Sequence, residues 1–204
     1  MKAVQKIINR NLKLYFRDYI AIFFSLLAVL IVIVLYILFL AELQVDSIQN
    51  ATGGILLQKD ISYLVNSWIL AGLLSITTVT STLGGYGTMV NDCEKKIQMD
   101  FLSSPLNRKI YPIANVLSSF AIGVTISLIA FCVYWGIITA RTGHTFSAEQ
   151  CVKCILIICI AAMMNAALMG FIVSFLRTNG AFSSVSLVIG TVIGFLNGLY
   201  VPLG

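Results

Sequence analysis

The chain has 204 residues, of which 59% are hydrophobic and only 10% charged, and its mean hydropathy is +0.96. A soluble domain carries about 25% charged residues, so this chain cannot cover a water-facing surface, and a soluble globular enzyme is excluded. Three prolines, and fifteen glycines without a triplet period, exclude low-complexity disorder and a collagen-like fibre.

Five windows contain no Asp, Glu, Lys or Arg: 19–41, 61–91, 110–140, 154–176 and 178–204. Together they hold 135 residues, and all 21 charges sit in the other 69. A bilayer core of about 30 Å needs roughly 20 apolar residues as helix, and every window is that long. The fold class expected is all-α: a polytopic membrane helical bundle of five transmembrane helices, preceded by an N-terminal amphipathic helix.

Residues 1–18 form that first segment. Lys2, Lys6, Arg10, Lys13 and Arg17 recur at helical spacing on one face, and Val4, Ile7, Ile8, Leu12 and Tyr15 on another. A basic amphipathic helix ahead of a span reads as lying in the membrane interface. A cleaved signal peptide fits poorly, because its apolar region runs 7–15 residues and the window here has 23.

Residues 19–204 form one transmembrane domain, with spans at about 19–41, 66–90, 113–138, 154–176 and 182–201. Span 1 is rich in Ile, Val, Leu and Phe and can face lipid. A loop over 42–60 follows, with Thr52-Gly53-Gly54 as a turn signal. Span 2 differs: Ser75, Thr77, Thr78, Thr80, Ser81 and Thr82 make a hydroxyl-rich middle, followed by Gly84, Gly85 and Gly87. Hydroxyls can satisfy a helix's own carbonyls and small residues allow close helix approach, so span 2 is expected to face protein.

Orientation follows from the Lys and Arg count. The N-terminal segment, the 92–109 loop and the turn at Arg177 hold ten; the other side, with Lys59, Arg141 and Lys153, holds three. The N-terminus and the 92–109 loop are expected in the cytoplasm.

No span contains an ionisable acid or base, which argues against an enzyme or an ion-coupled transporter. No catalytic, metal-binding or cofactor-binding residue is expected. The single His, His144, falls in a short outer loop without a partner nearby, and no GxxxxGK[ST] loop for ATP occurs. Cys151-x-x-Cys154 is a lone pair, compatible either with an outer-face disulfide within one helical turn or with plain small residues. Gly190, Gly194 and Gly198 recur every four residues and predict a groove for close helix packing. Thr77, Thr78, Ser81 and Asn165 are candidates for a substrate path; interhelical hydrogen bonding is the competing use of Asn165 and of Asn197. In the 92–109 loop, Ile97, Phe101 and Leu102 share one helical face with charges on the others, and Pro105 ends the helix. Such a helix has nowhere to go in lipid and suits a cytoplasmic partner.

Three elements carry a family resemblance: the basic N-terminal helix, the Phe-Leu-Ser-Ser-Pro-Leu-Asn-Arg segment at 101–108, and the run Gly-Phe-Leu-Asn-Gly-Leu-Tyr-Val-Pro-Leu-Gly at 194–204. In that order the chain resembles the permease subunits of the ABC-2 type transporter family over essentially its whole length. The resemblance implies a membrane-spanning subunit of an ATP-driven exporter in the plasma membrane. It also implies a separate ATPase subunit that binds the ATP and Mg, and pairing of permeases as a homodimer or heterodimer. It makes the 92–109 segment the coupling helix, with Glu94, Ile97, Phe101, Leu102, Pro105 and Arg108 on the ATPase. Many members carry Gly in that helix where this chain has Lys96, and members usually have six spans where this chain ends at Gly204 beside the fifth. The competing readings are a secondary transporter or channel subunit, for which only the span 2 hydroxyls offer a polar path, and a non-transporting scaffold, which has no use for them. Nucleic acid is not an expected partner.

Overall fold

The computed structural model describes residues 2–19, 22–23, 30–31, 34, 58–103, 107, 109–142 and 147–197. Most of the predicted first span, the 42–57 part of the loop after it, Pro105, Arg108, His144, Gly198 and the end of the chain lie outside the described residues, as does the side chain of Leu102.

Among the described residues the structure is helical, without strands. The helices are α1 (Lys2–Arg17), α2 (Gln58–Gly85), α3 (Gly87–Glu94), α4 (Ile97–Ser103), α5 (Ile110–Thr142), α6 (Ala148–Val173) and α7 (Asn179–Leu196). Four stretches are long and apolar enough to cross a membrane: Leu64–Glu94, Ile110–Thr139, Ala148–Val173 and Asn179–Leu196. The first joins α2 and α3, which continue one another across Tyr86. Gly84, Gly85 and Gly87 weaken the helix there.

α2, α5 and α6 pack against one another, and α7 lies along α2 and α3. At one end of the bundle, Ile61, Val65, Ile69 and Leu73 of α2 pack with Phe131 and Tyr134 of α5 and Ile158 of α6. Towards the other end, Val79, Leu83, Tyr86 and Val90 pack with Met169 and Val173. Between these apolar clusters the α2–α5 contact is a hydroxyl layer. Thr77, Thr78, Ser81, Thr82, Ser118, Ser119 and Ser127 are all buried. Small side chains bring the two backbones close: a Cβ at Gly85 would lie 2.9 Å from Ser119 Cα, and one at Gly123 would strike Thr82. Ser119 Oγ donates to the Thr82 carbonyl, and the Thr78 and Ser127 hydroxyls pair at 3.0 Å.

The helices differ in how much of them is enclosed. About half of the α2–α3 stretch is buried, against 6% of α7. Leu156, Ile160, Met164, Phe171 and Leu187 present bare apolar surface on α6 and α7, the pattern of helices made to meet lipid.

α5 has 33 residues and is about 50 Å long, well beyond a hydrocarbon core of about 30 Å. Its first turns give α1 a protein surface to dock on. Ile7 and Asn11 of α1 are buried there.

Candidate functional site

Three segments distant in sequence meet at one end of the bundle: α1, the α3–α4 region with the start of α5, and the turn before α7. The centre is an ion pair. Arg10 donates two parallel hydrogen bonds to Asp92, Nη1 to Oδ2 and Nη2 to Oδ1, each 2.7 Å. The Asp92 side chain is only 4% exposed, that of Arg10 32%. A bidentate guanidinium–carboxylate pair fixes orientation as well as distance. The hydrogen bond to Asp92 is the main cause that pushes the Arg10 pKa up, so the charge persists at every accessible pH.

Arg10, which its spacing places on the basic face, is thus paired within the bundle. The neighbouring residue completes the dock: Asn11 Nδ2 donates to Asn115 Oδ1 at 2.8 Å and to Ser118 Oγ at 3.2 Å. Asn115 in turn donates to the Tyr111 carbonyl at 3.1 Å. The Arg10 guanidinium also lies over the Phe101 ring, 5.4 Å from its centroid, a cation–π geometry. Phe101 packs on Tyr111 with centroids 5.3 Å apart. One side chain of α1 thus touches both α3 and α4.

The expected single helix over this loop is two helices. α3 ends at Glu94 and α4 starts at Ile97, because Lys96 sits at φ 60, a left-handed conformation that no helix interior accepts. Glu94 is exposed at the end of α3. Its carboxylate accepts from the backbone N–H of Asn179 at 3.2 Å and from the Asn179 side-chain amide. An acid at the first turn of a helix is stabilised by the exposed N–H groups there. Between α3 and that turn is a cleft of about 520 Å³, with Met89, Cys93, Lys96, Met99, Leu176 and Arg177 among its lining.

Of the remaining predicted coupling residues, Ile97 and Phe101 are half-buried. Among the described apolar side chains of α4 the freest is Met99, 64% exposed. The face count overlooked it because it falls between Ile97 and Phe101.

The substrate-path candidates divide. Thr77 donates to Leu73 O at 2.7 Å, Thr78 to Leu74 O at 2.6 Å and Ser81 to Thr77 O at 2.6 Å. All three are buried. Thr78 also borders an apolar cavity of about 400 Å³ between α2 and α6, together with Leu70, Leu74, Cys154 and Ile157. Asn165 is half-buried. Asn197 Oδ1 accepts from Ser75 Oγ at 3.2 Å and ties α7 to α2. Cys151 and Cys154 are both free thiols.

Within the chain, the two described glycines of the ladder differ. Gly194 is buried, but nothing lies within 4 Å of a Cβ built at Gly190. The close contacts are made instead by Gly85, Gly123 and Gly170, the last lying against the Tyr86 hydroxyl that donates to Ala166 O at 2.6 Å. No four-residue repeat marks them.

The family model described as ABC-2 type transporter matches residues 2–204. The chain belongs to the ABC-2 type transporter family. Neither the curated proteins nor the solved structures contain a match. As an ABC-2 permease the chain is the multi-pass membrane component of an ABC transporter, which works with an ABC ATPase subunit and is not by itself an enzyme. In this permease, the segment that the resemblance makes the coupling helix is α4 together with the end of α3.

Proposed function

We propose that this permease couples ATP hydrolysis on a separate ATPase subunit to export of a substrate across the plasma membrane, working as a pair of permeases. ATP and Mg belong to the partner, since the chain has no phosphate-binding loop. The N-terminus, α4 and Arg177 face the cytoplasm. In the division of the chain, residues 1–18 are an interfacial element and 19–204 the transmembrane domain.

The observation that carries this reading is α4. It is a short helix at the end of the bundle where the Lys and Arg residues concentrate. Lys95, Lys96, Met99 and Asp100 are exposed on and beside it, while Phe101 fastens it to Tyr111 and Arg10. A helix anchored on one side and offering one apolar side chain among charges on the other is suited to take force from a docked protein.

The test is ATPase stimulation by the permease reconstituted with its ATPase subunit in lipid. Truncating an interface anchor typically costs about 2 kcal/mol, roughly thirtyfold in affinity. Met99→Asp, which places a charge on the apolar contact, is expected to abolish stimulation, while Phe101→Ala lowers it by unseating α4. Lys96→Ala is expected to matter less, because water screens a rim charge. Parental stimulation by both Met99→Asp and Phe101→Ala removes α4 as the coupling surface.

A further inference from the structure

We propose that Arg10 and Asp92 are positioning residues that make α1 a working part of the coupling element, so that α1, α3 and α4 move as one body. This rests on the coupling reading of α4 given above.

The geometry has three parts. First, the ion pair joins residues 82 positions apart and buries the carboxylate almost completely. A surface pair is worth little, but an enclosed, bidentate one holds two helices in a single register. Second, the same guanidinium covers Phe101, which lies beyond the break at Lys96. Arg10 therefore bridges the break from outside: it holds α3 by charge and α4 by its flat face. Third, α1 is not tied to this joint alone. Asn11 bonds to Asn115 and Ser118 on α5, so a displacement of α4 reaches α1 and the long helix α5 together. Interfacial anchoring alone requires none of this, since an amphipathic helix needs only its apolar face and its cations.

The test uses two arms. Spin labels go on cysteines placed at Gln5 and Met99 in a permease whose native cysteines are replaced by serine. The first arm measures the label distance in the permease alone, in lipid. The second measures ATPase stimulation in the assembled transporter without labels. In the first arm one narrow distance is expected in the parent, a broadened one in Arg10→Ala, and one of intermediate width in the charge exchange Arg10→Glu with Asp92→Arg, which restores the pair to α3 but leaves no cation over Phe101. In the second arm Arg10→Ala loses at least tenfold of the stimulation, Arg10→Lys keeps an intermediate level because it retains the charge without the fork, and the exchange recovers only part of the loss, because a carboxylate at position 10 restores the pair but not the contact with the ring.

A narrow distance in Arg10→Ala together with parental stimulation overturns the proposal. So does an exchange that narrows the distance but recovers none of the stimulation, since the pair is then only structural. If Arg10→Ala does not insert, Arg10→Lys and the exchange decide by the same criteria. If the parent itself stimulates no ATPase, the coupling reading fails. The first arm then stands alone: unbroadened Arg10→Ala overturns the one-body claim, and broadening partly reversed by the exchange supports it.

Discussion

Lys96 holds the left-handed conformation at φ 60, which glycine adopts without a Cβ penalty and a β-branched residue resists. The left-handed region costs an L-residue roughly 1–2 kcal/mol. Glycine escapes that cost, but part of the gain is offset by the greater freedom of the unfolded chain. Lys96→Gly is therefore expected to be neutral or up to about 1 kcal/mol stabilising, and Lys96→Val destabilising by at least as much. Thermal unfolding in detergent checks the order Gly, Lys, Val. A second residue-scale expectation concerns Asp92. Removing one member of a buried pair leaves a charge stranded at a cost of about 3 kcal/mol, the low end of the usual range because Arg10 is partly solvated. Arg10→Ala should therefore unfold at lower temperature than the double variant Arg10→Ala with Asp92→Ala. Equal or reversed midpoints show that the pair is not enclosed in the membrane-embedded protein.

At the scale of elements, the α2–α5 contact depends on the absence of side chains at a few points. A methyl at Gly85 would meet the Ser119 backbone at 2.9 Å, and overpacking of this kind costs typically about 1–3 kcal/mol. Gly190 has open space, so alanine there brings only its better helix propensity, up to about 1 kcal/mol. Gly85→Ala is expected to lower the unfolding midpoint and Gly190→Ala to leave or raise it; the opposite order removes α2–α5 as the close contact. The contrast also marks what could be read from the sequence. The ladder at 190, 194 and 198 stands out by period, yet close approach depends on which face meets a neighbour, and a repeat does not specify that. Apolar windows locate four helices, because the bilayer requirement acts on every residue of a span. Their ends shift: α6 begins at Ala148, six residues before the charge-free window, since Gln150 accepts from the Ser147 N–H at 3.0 Å and Lys153 pairs with Glu149. The hydroxyl layer was legible as a protein-facing stripe, though its hydroxyls turn mostly to their own helix. The Arg10–Asp92 pair was not legible, because local periodicity assigns Arg10 to the basic face and says nothing about a partner 82 residues away. The signal available was Asn11, a polar residue one turn after Ile7 at the edge of the apolar face.

For the whole molecule, the bundle converts a count of charges into a geometric constraint. Glu94 contacts Asn179 and Arg10 contacts Asp92, so α1, the α3–α4 break and the turn at Arg177 occupy one end. α5 rises from that end and α6 returns to it, which puts Ser147 and Glu149 at the opposite end. The three basic segments must therefore share one side of the membrane whichever way the protein inserts, and the proposed function, on the positive-inside bias, takes that side to be the cytoplasm. Cysteines placed singly at Lys13, Lys96, Arg177 and Glu149, in a background without native cysteines, test both statements with a membrane-impermeant reagent. In intact cells only the Glu149 site is expected to react; after permeabilisation the other three react as well. Reaction of all three basic sites, but not of the Glu149 site, in intact cells reverses the orientation and leaves the bundle standing. A split among Lys13, Lys96 and Arg177 is incompatible with the bundle itself, because the contacts at Asp92 and Glu94 cannot reach across a hydrocarbon core of about 30 Å.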